Sequence, residues 1–484
     1  MKKIYTPILL LALFVFVMLF ALPSCDAGKA DTGGDNSSGT AESPGDIDSG
    51  GEPEIPDNLP EMDFGGYDFR VYMRHDGRNT DFFAESENGD LINDAVYKRN
   101  KIVEDRFNIN IVPVIYTNEF DTSAEKAILA GSDAYDIMAM HGVHSFSYAK
   151  KGLVIDWLED MPYVNFAMPW WRDDITKGFA AFGNLYCVTG DMSHLSFSSV
   201  MCMLFNKTLF QNLNLDYPYE EVKNGTWTID RLFSINKNSG ADLNGDGAMT
   251  PEADRYGMLI FNEWSYPIAV LYCGGDRVVS LDSENVPVLS LYNDRTVDIY
   301  DKFFDMFNHP GAAYMGPMNA AELVDIFKEG RSLFGGLGMG SIIAYRDMED
   351  EIGILPLPKY DVATPKYYAP SEAGTNLFTV PVTAPNTERT SIIVEALCAE
   401  GHKKVIPVYY EKALKTKYSR DDESESMLDY IKDGIVYDYG YYNNSLTEDL
   451  AFVGQRLVTT KNTNFTSFYE KFERKIQKNI EKLK

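Results

Sequence analysis

From Asp63 onward the apolar positions switch repeatedly between a period of two and a period near 3.6. The run YDFRVYM, from Tyr67, alternates and predicts a short strand. LINDAVYKRNKIVEDRF follows, and Ile92, Val96, Val103 and Phe107 fall on one helical stripe. INIVPVIY predicts a second strand, and DTSAEKAILAG a capped helix ended by Gly131. YDIMAM predicts a third strand, with a helix from about Ser145 to Lys151 after it. Strand, helix, strand, helix, strand implies right-handed crossovers and a mainly parallel sheet. Ligands bind beyond the carboxyl ends of strands in such sheets. Here those ends release Arg74, His75 and Asp76; Thr117, Asn118 and Glu119; and His141 to His144.

The middle of the chain, about Ser196 to Arg346, predicts a second α/β unit. SSVMCMLFN and RYGMLIF read as strands, and TWTIDRLFSINKN as a helix capped by Thr228. RTVDIYDKFFDMFN and NAAELVDIFKEG also read as helices. At the C-terminus, Phe468, Phe472, Ile476, Ile480 and Leu483 share one face of a helix that is otherwise mostly charged, which predicts docking on a core.

The first 60 residues do not belong to this pattern. Lys2 and Lys3 precede an apolar run from Ile4 to Leu22, the layout of a secretion signal. The run is also long enough for an uncleaved membrane anchor. Asp26 to Pro60 contains seven Gly, nine acidic residues and one Lys, and has almost nothing to bury. It reads as a flexible tether with an end-to-end distance of about 30–35 Å.

Composition narrows the function. The 484 residues suffice for two or more packed domains. The formal charge of −28 argues against nucleic acid, whose phosphates need clustered Lys and Arg. Cys187, Cys202, Cys273 and Cys398 lie in apolar or aromatic settings without metal spacing and read as buried thiols. A Cys187–Cys202 bridge stays open at this level. No GxSxG, HExxH or P-loop pattern occurs.

Ordered short motifs then carry a resemblance. YDIMAMHGVHSFSYAKKGLVIDW, VMCMLFNKTLFQNLNLDYPYEEVKNGTWTIDRL, FNEWSYPIAVLYCGGDRV, IGILPLPKY and NLFTVPVTAPNTERTSIIVEAL occur in the order found in family 1 extracellular solute-binding proteins. The chain resembles this family, maltose- and oligosaccharide-binding proteins included, from about residue 67 to 415 and more loosely to the end. Leu22-Pro23-Ser24-Cys25 resembles the lipobox of bacterial lipoproteins, although Pro23 departs from the usual residue. That likeness implies a lipid on Cys25 and a location outside the cytoplasmic membrane, held by the lipid anchor alone.

The resemblance implies an α/β, two-lobed, type II periplasmic-binding-protein-like fold with discontinuous lobes and a central ligand cleft. The expected division is a signal peptide over 1–25, a tether over 26–60, lobe 1 over 61–195 with about 350–405, and lobe 2 over 196–349 with about 406–484. The implied function is capture of a solute, a carbohydrate or oligosaccharide, by a monomer that delivers it to the permease subunits of an ABC importer. No catalysis and no required cofactor are implied. Two rivals are a surface glycan-capture lipoprotein without transport and a secreted glycan-degrading enzyme whose paired carboxylates hide among the 72 acids.

Sugars present apolar faces rimmed by hydroxyls, so the site needs flat aromatic rings with carboxylates, amides or Arg beside them. Asn262, Glu263, Trp264 and Tyr266 supply both kinds within five residues. Arg74 and Asp76, Met140 and His144, Asp191 and Ser199 are the expected partners from strand ends and the crossing strand. Tyr437 and Tyr442 are expected to close the cleft from the second lobe. Trp170 and Trp171 read either as cleft rim or as a structural anchor.

One further motif has calcium spacing. Asp242, Asn244 and Asp246 occupy the first, third and fifth positions, Gly247 the sixth, and the Ala248 carbonyl the seventh of an EF-hand-like loop. The twelfth position is Ala253, so Asp254 would close the loop after a one-residue expansion, as in relatives that place Asp before RYG. The helix before it and the strand after it exclude a paired calcium sensor. The expectation is one structural Ca2+ held by Asp242, Asn244, Asp246, Ala248 and Asp254.

Overall fold

A computed structural model describes residues 55–75, 77–116, 122–261, 268–316, 318–345, 347–410 and 422–483. Cys25, the signal segment and most of the tether lie outside them. The strands run in chain order β1 (Tyr67–Arg74), β2 (Ile109–Tyr116), β3 (Ile137–His141), β4 (Met201–Asn206) and β5 (Tyr256–Phe261). They continue as β6 (Val279–Leu281), β7 (Pro287–Leu289), β8 (Ala313–Gly316), β9 (Ser332–Gly338) and β10 (Ile352–Leu355). The last are β11 (Ala369–Pro370), β12 (Asn376–Thr379) and β13 (Ile435–Val436).

The first sheet has the order β12-β3-β1-β2. β1 runs parallel to β2 and β3, as the strand–helix alternation predicts, whereas β12 is antiparallel to β3. Helix α1 (Leu91–Phe107) joins β1 to β2, and α2 (Ser123–Leu129) lies between β2 and β3. Asp90 caps it by accepting the N–H groups of Ile92 and Asn93 at 3.0 and 3.1 Å. Val96, Val103 and Phe107 are buried as the stripe requires and Ile92 only partly, but Arg99 and Asn100 are buried as well. Arg99 is satisfied there by the Phe82 carbonyl and the Asn100 side chain. Asn108 ends α1 at φ 50°, a left-handed cap that turns the chain straight into β2.

The second sheet has the order β10-β4-β9-β5-β8. Its core strand β4 is buried at every position, consistent with its unbroken apolar run. β5 is parallel to β8 and β9, while β4 is antiparallel to β9 and β10. Thr228 caps the helix Ile229–Lys237 as the sequence predicts, accepting from the Arg231 N–H. The C-terminal helix Phe465–Glu481 buries Phe465, Tyr469, Phe472, Ile476 and Ile480. Phe468 and Leu483, expected on that face, are only partly buried, while Tyr469, whose ring stacks on Tyr292 at 4.7 Å, is buried.

Two expectations change, and one open question closes. Ile352–Leu355, expected in the return to the first lobe, forms the edge of the second sheet against β4. The compact unit begins at Asp57, not after Pro60. Asp57 ion-pairs with Arg106 at 2.5 Å and accepts the Leu59 N–H, which holds the end of the expected tether against α1. Cys187, Cys202, Cys273 and Cys398 are buried thiols, as their apolar settings predict, and no Cys187–Cys202 bridge forms.

Candidate functional site

The carboxyl ends of β1 and β3 meet a segment that sequence order hides. Because β12 is antiparallel to β3, its amino end lies where β3 ends, and His141 pairs with Asn376. Residues 371–376 therefore form a floor across both strand ends. Arg74 is buried and donates to the Gly374 carbonyl at 2.6 Å. Arg78 donates to the same carbonyl and pairs with Glu372 at 3.8 Å. Gly142, first in helix α3 (Gly142–Lys150), donates its N–H to the Thr375 carbonyl at 3.0 Å.

The same floor contacts the chain on its way to the second sheet. Ser371 bridges Val200, and the Glu372 N–H donates to the Ser199 carbonyl at 2.9 Å. Met339, just past β9, donates its N–H to the Val200 carbonyl at 2.8 Å. Two crossing segments thus lie side by side between the sheets. Asn376 donates to the Arg78 carbonyl at 2.7 Å and reaches Asp81 at 3.3 Å. Burial pushes the Asp81 carboxyl up to about 6, against the Ser193 and Asn376 hydrogen bonds that lower it. Asn376 Oδ1 and Ser198 Oγ are buried without a hydrogen-bond partner among the described residues. Such atoms are costly unless water or ligand meets them.

The expected residues divide into three groups. Arg74, His144 and Ser199 gather at the floor; the His144 ring is 5.3 Å from that of His141 and is partly exposed. Arg78, Glu372 and Asn376 join them and were not expected. Their signal was the Gly-containing turn SEAGTN before β12, legible only once β12 is known to run antiparallel. Asp76, Asn262, Glu263, Trp264 and Tyr266 lie outside the described residues.

The remaining expected residues lie in the interior. Met140 is buried with Tyr72, Tyr116 and Met138 on the opposite face of β3 from Ala139. Asp191 is buried with its Oδ2 2.6 Å from Nδ1 of His402. Tyr437 and Tyr442 are buried in an aromatic cluster with Phe179, at 5.9 and 5.1 Å. They are part of the core and not of an exposed loop. Trp170 and Trp171 are a structural anchor: both indole N–H groups donate to Glu395, at 2.9 and 2.7 Å.

The Asp242 loop is organised by its own carboxylates. Asp242 accepts the Gly245 and Gly247 N–H groups at 2.7 and 2.9 Å, and Asp246 accepts that of Ala248 at 2.8 Å. Asn244 donates to Asp246 at 2.9 Å. Asp254 accepts from Thr250 and Leu243, and these bonds hold its carboxyl below the usual range. Among the described residues, no group of three or more His, Cys, Asp or Glu side chains is gathered to hold a metal ion.

No family model matches the chain, and no curated protein sequence does. Solved structures do. The cyclic α-maltosyl-1,6-maltose-binding protein from Arthrobacter globiformis is similar with a TM-score of 0.60 at 13% identity, over 86% of this chain and 99% of that one. A cyclo/maltodextrin-binding protein complexed with maltotetraose gives 0.56 at 15% identity, over 86% and 97%. The ABC substrate-binding protein Lmo0181 from Listeria monocytogenes, in complex with cycloalternan, gives 0.55 at 13%, over 86% and 99%. The chain therefore has the two-lobed α/β fold of the solute-binding proteins.

Proposed function

We propose that this protein is the extracytoplasmic substrate-binding component of an ABC importer and that its cargo is a carbohydrate. The observation that carries this reading is the floor formed by Arg74, Arg78, Glu372 and Gly374 where the ends of β1 and β3 meet the crossing segments. Arg78 and Glu372 keep partial exposure, so a donor and an acceptor face a ligand entering between the sheets. Similar folds that bind cyclic and linear glucans support the ligand class. Asn262, Glu263, Trp264 and Tyr266 follow β5 in sequence and supply rings and hydrogen-bonding groups suited to sugar. The protein's part is binding and hinge closure, without bond breakage.

The lobe division belongs to this proposal, with the crossing back to lobe 1 after Leu355. So do delivery to permease subunits and the anchor on Cys25. No described helix is long and apolar enough to cross a membrane. The Asp242 loop is proposed as an accessory calcium site on the strength of its ligand spacing.

Calorimetry against mono- and oligosaccharides tests the reading. A saccharide should bind, and Trp264→Ala should weaken it by more than about tenfold. Binding of a peptide with failure of every sugar would sink the ligand class. Release of hydrolysis products from a glycan panel would favour an enzyme instead.

A further inference from the structure

A pocket of about 390 Å³ opens between α3, the segment around Phe182 to Cys187, residues 439–446 and the end of the C-terminal helix. It is separate from the floor described above. α3 begins at the carboxyl end of β3, whereas Ala149 and Lys150, which line the pocket, lie at its other end. No residue of the floor lines it.

Its lining is unusual for this chain. Phe146, Phe179, Phe182, Tyr186 and Tyr439 contribute aromatic surface. Lys150 and Lys482 contribute two ammonium groups, while Asn184, Asn443 and Asn479 contribute amides. In a protein with 72 acidic and 44 basic residues, no carboxylate side chain lines this pocket. Both lysines are exposed, and no ion pair joins either one to a described carboxylate. Asp156, Asp160 and Glu159 act only from outside the lining, where they help burial raise the Tyr186 hydroxyl. Cys187 also lines the pocket, but burial pushes its thiol far up, so it is not a nucleophile.

We infer that this pocket is a second binding site, for a small carboxylate with a flat or apolar ring face. The rings take the face, and Lys150 and Lys482 take the carboxylate from two separate elements. Aromatic acids and uronic acids share that chemistry. The inference goes beyond the importer reading and does not depend on it.

The test uses the folded, secreted chain and two matched pairs of probes: 4-hydroxybenzoate with 4-hydroxybenzamide, and glucuronate with glucose. One acid should bind at concentrations below about 10 mM, with its neutral partner at least about tenfold weaker. Lys150→Met with Lys482→Met should weaken the acid about tenfold or more, and Lys150→Glu should do so further. Saccharide binding at the floor should be unchanged in the lysine variants and lost in Arg78→Ala with Glu372→Ala, so the two sites fail separately. Which acid binds identifies the source of the ring. Equal binding of acid and neutral probes, acid binding indifferent to both lysines, or no acid binding would each overturn the inference.

Discussion

Arg74 donates its guanidinium to the carbonyl of Gly374 at 2.6 Å, across 300 positions of sequence. This bond ties the end of β1 to the segment by which the chain returns from the second sheet. Both partners are held away from bulk water, and a charged donor to a buried carbonyl is among the stronger hydrogen bonds.

Arg74→Met should therefore lower unfolding free energy by about 1–3 kcal/mol. Arg78 remains as a second donor to Gly374, so the fold should survive. Urea unfolding of the two single variants and the double variant measures the coupling. Additive effects would mean that the arginines do not share the carbonyl.

Glu395 gives a pH prediction. Burial raises its carboxyl from 4.5 to about 7, although the Trp171, Asn165 and Trp170 N–H groups oppose the rise. The folded state thus holds a proton that the unfolded state has released. Stability from this group is fully present below about pH 4.5 and declines as pH rises through about 7, by at most about 3 kcal/mol. Asp81 contributes with the same sign as its carboxyl, raised to about 6, loses its proton. Glu395→Gln should flatten its share of the slope between pH 5 and 7, which denaturant midpoints at several pH values will read. An unchanged slope would remove Glu395 as its source.

Gly142 is fixed by close approach. A Cβ there would lie 2.7 Å from two ring carbons of Tyr442 and 2.8 Å from the Ala373 carbonyl. The Tyr442 ring is buried and cannot swing aside. Gly142→Ala should cost about 1–3 kcal/mol and displace the floor under His144. A thermal melt with calorimetry on the same variant checks both parts. Wild-type stability and affinity would show that the contact relaxes freely.

Calcium is testable on its own. If the Asp242 loop holds the ion, adding Ca2+ should raise Tm and a chelator should lower it, since binding favours the folded state by mass action. Asp246→Ala should remove the response while saccharide affinity stays. No shift with Ca2+ in the wild-type protein would leave the loop as a hydrogen-bonded turn.

Much of the architecture was legible because periodicity reports local burial. The stripe Val96, Val103 and Phe107 and the cap at Thr228 needed only neighbours in sequence. The edge strand Ile352–Leu355 shows the converse: four apolar residues state that they are buried, not against which sheet. Trp170 and Trp171 announce two large rings, but nothing local names Glu395 as the acceptor of both indoles.

The sequence by itself determined the alternation of strands and helices, the acid balance, the separation of the N-terminal segment from the folded body, and the strand ends where a site should form. Those properties depend on residue type and spacing along the chain. Only the tertiary structure decided that Met140, Asp191, Tyr437 and Tyr442 are packed in the interior, and that Arg78 and Glu372 join Arg74 at the floor. It also brought Lys150 and Lys482 to one pocket. For the floor the physical reason is the direction of β12: running antiparallel to β3, it carries its amino end, and not its carboxyl end, to the site; the pocket forms because residues distant in sequence pack side by side.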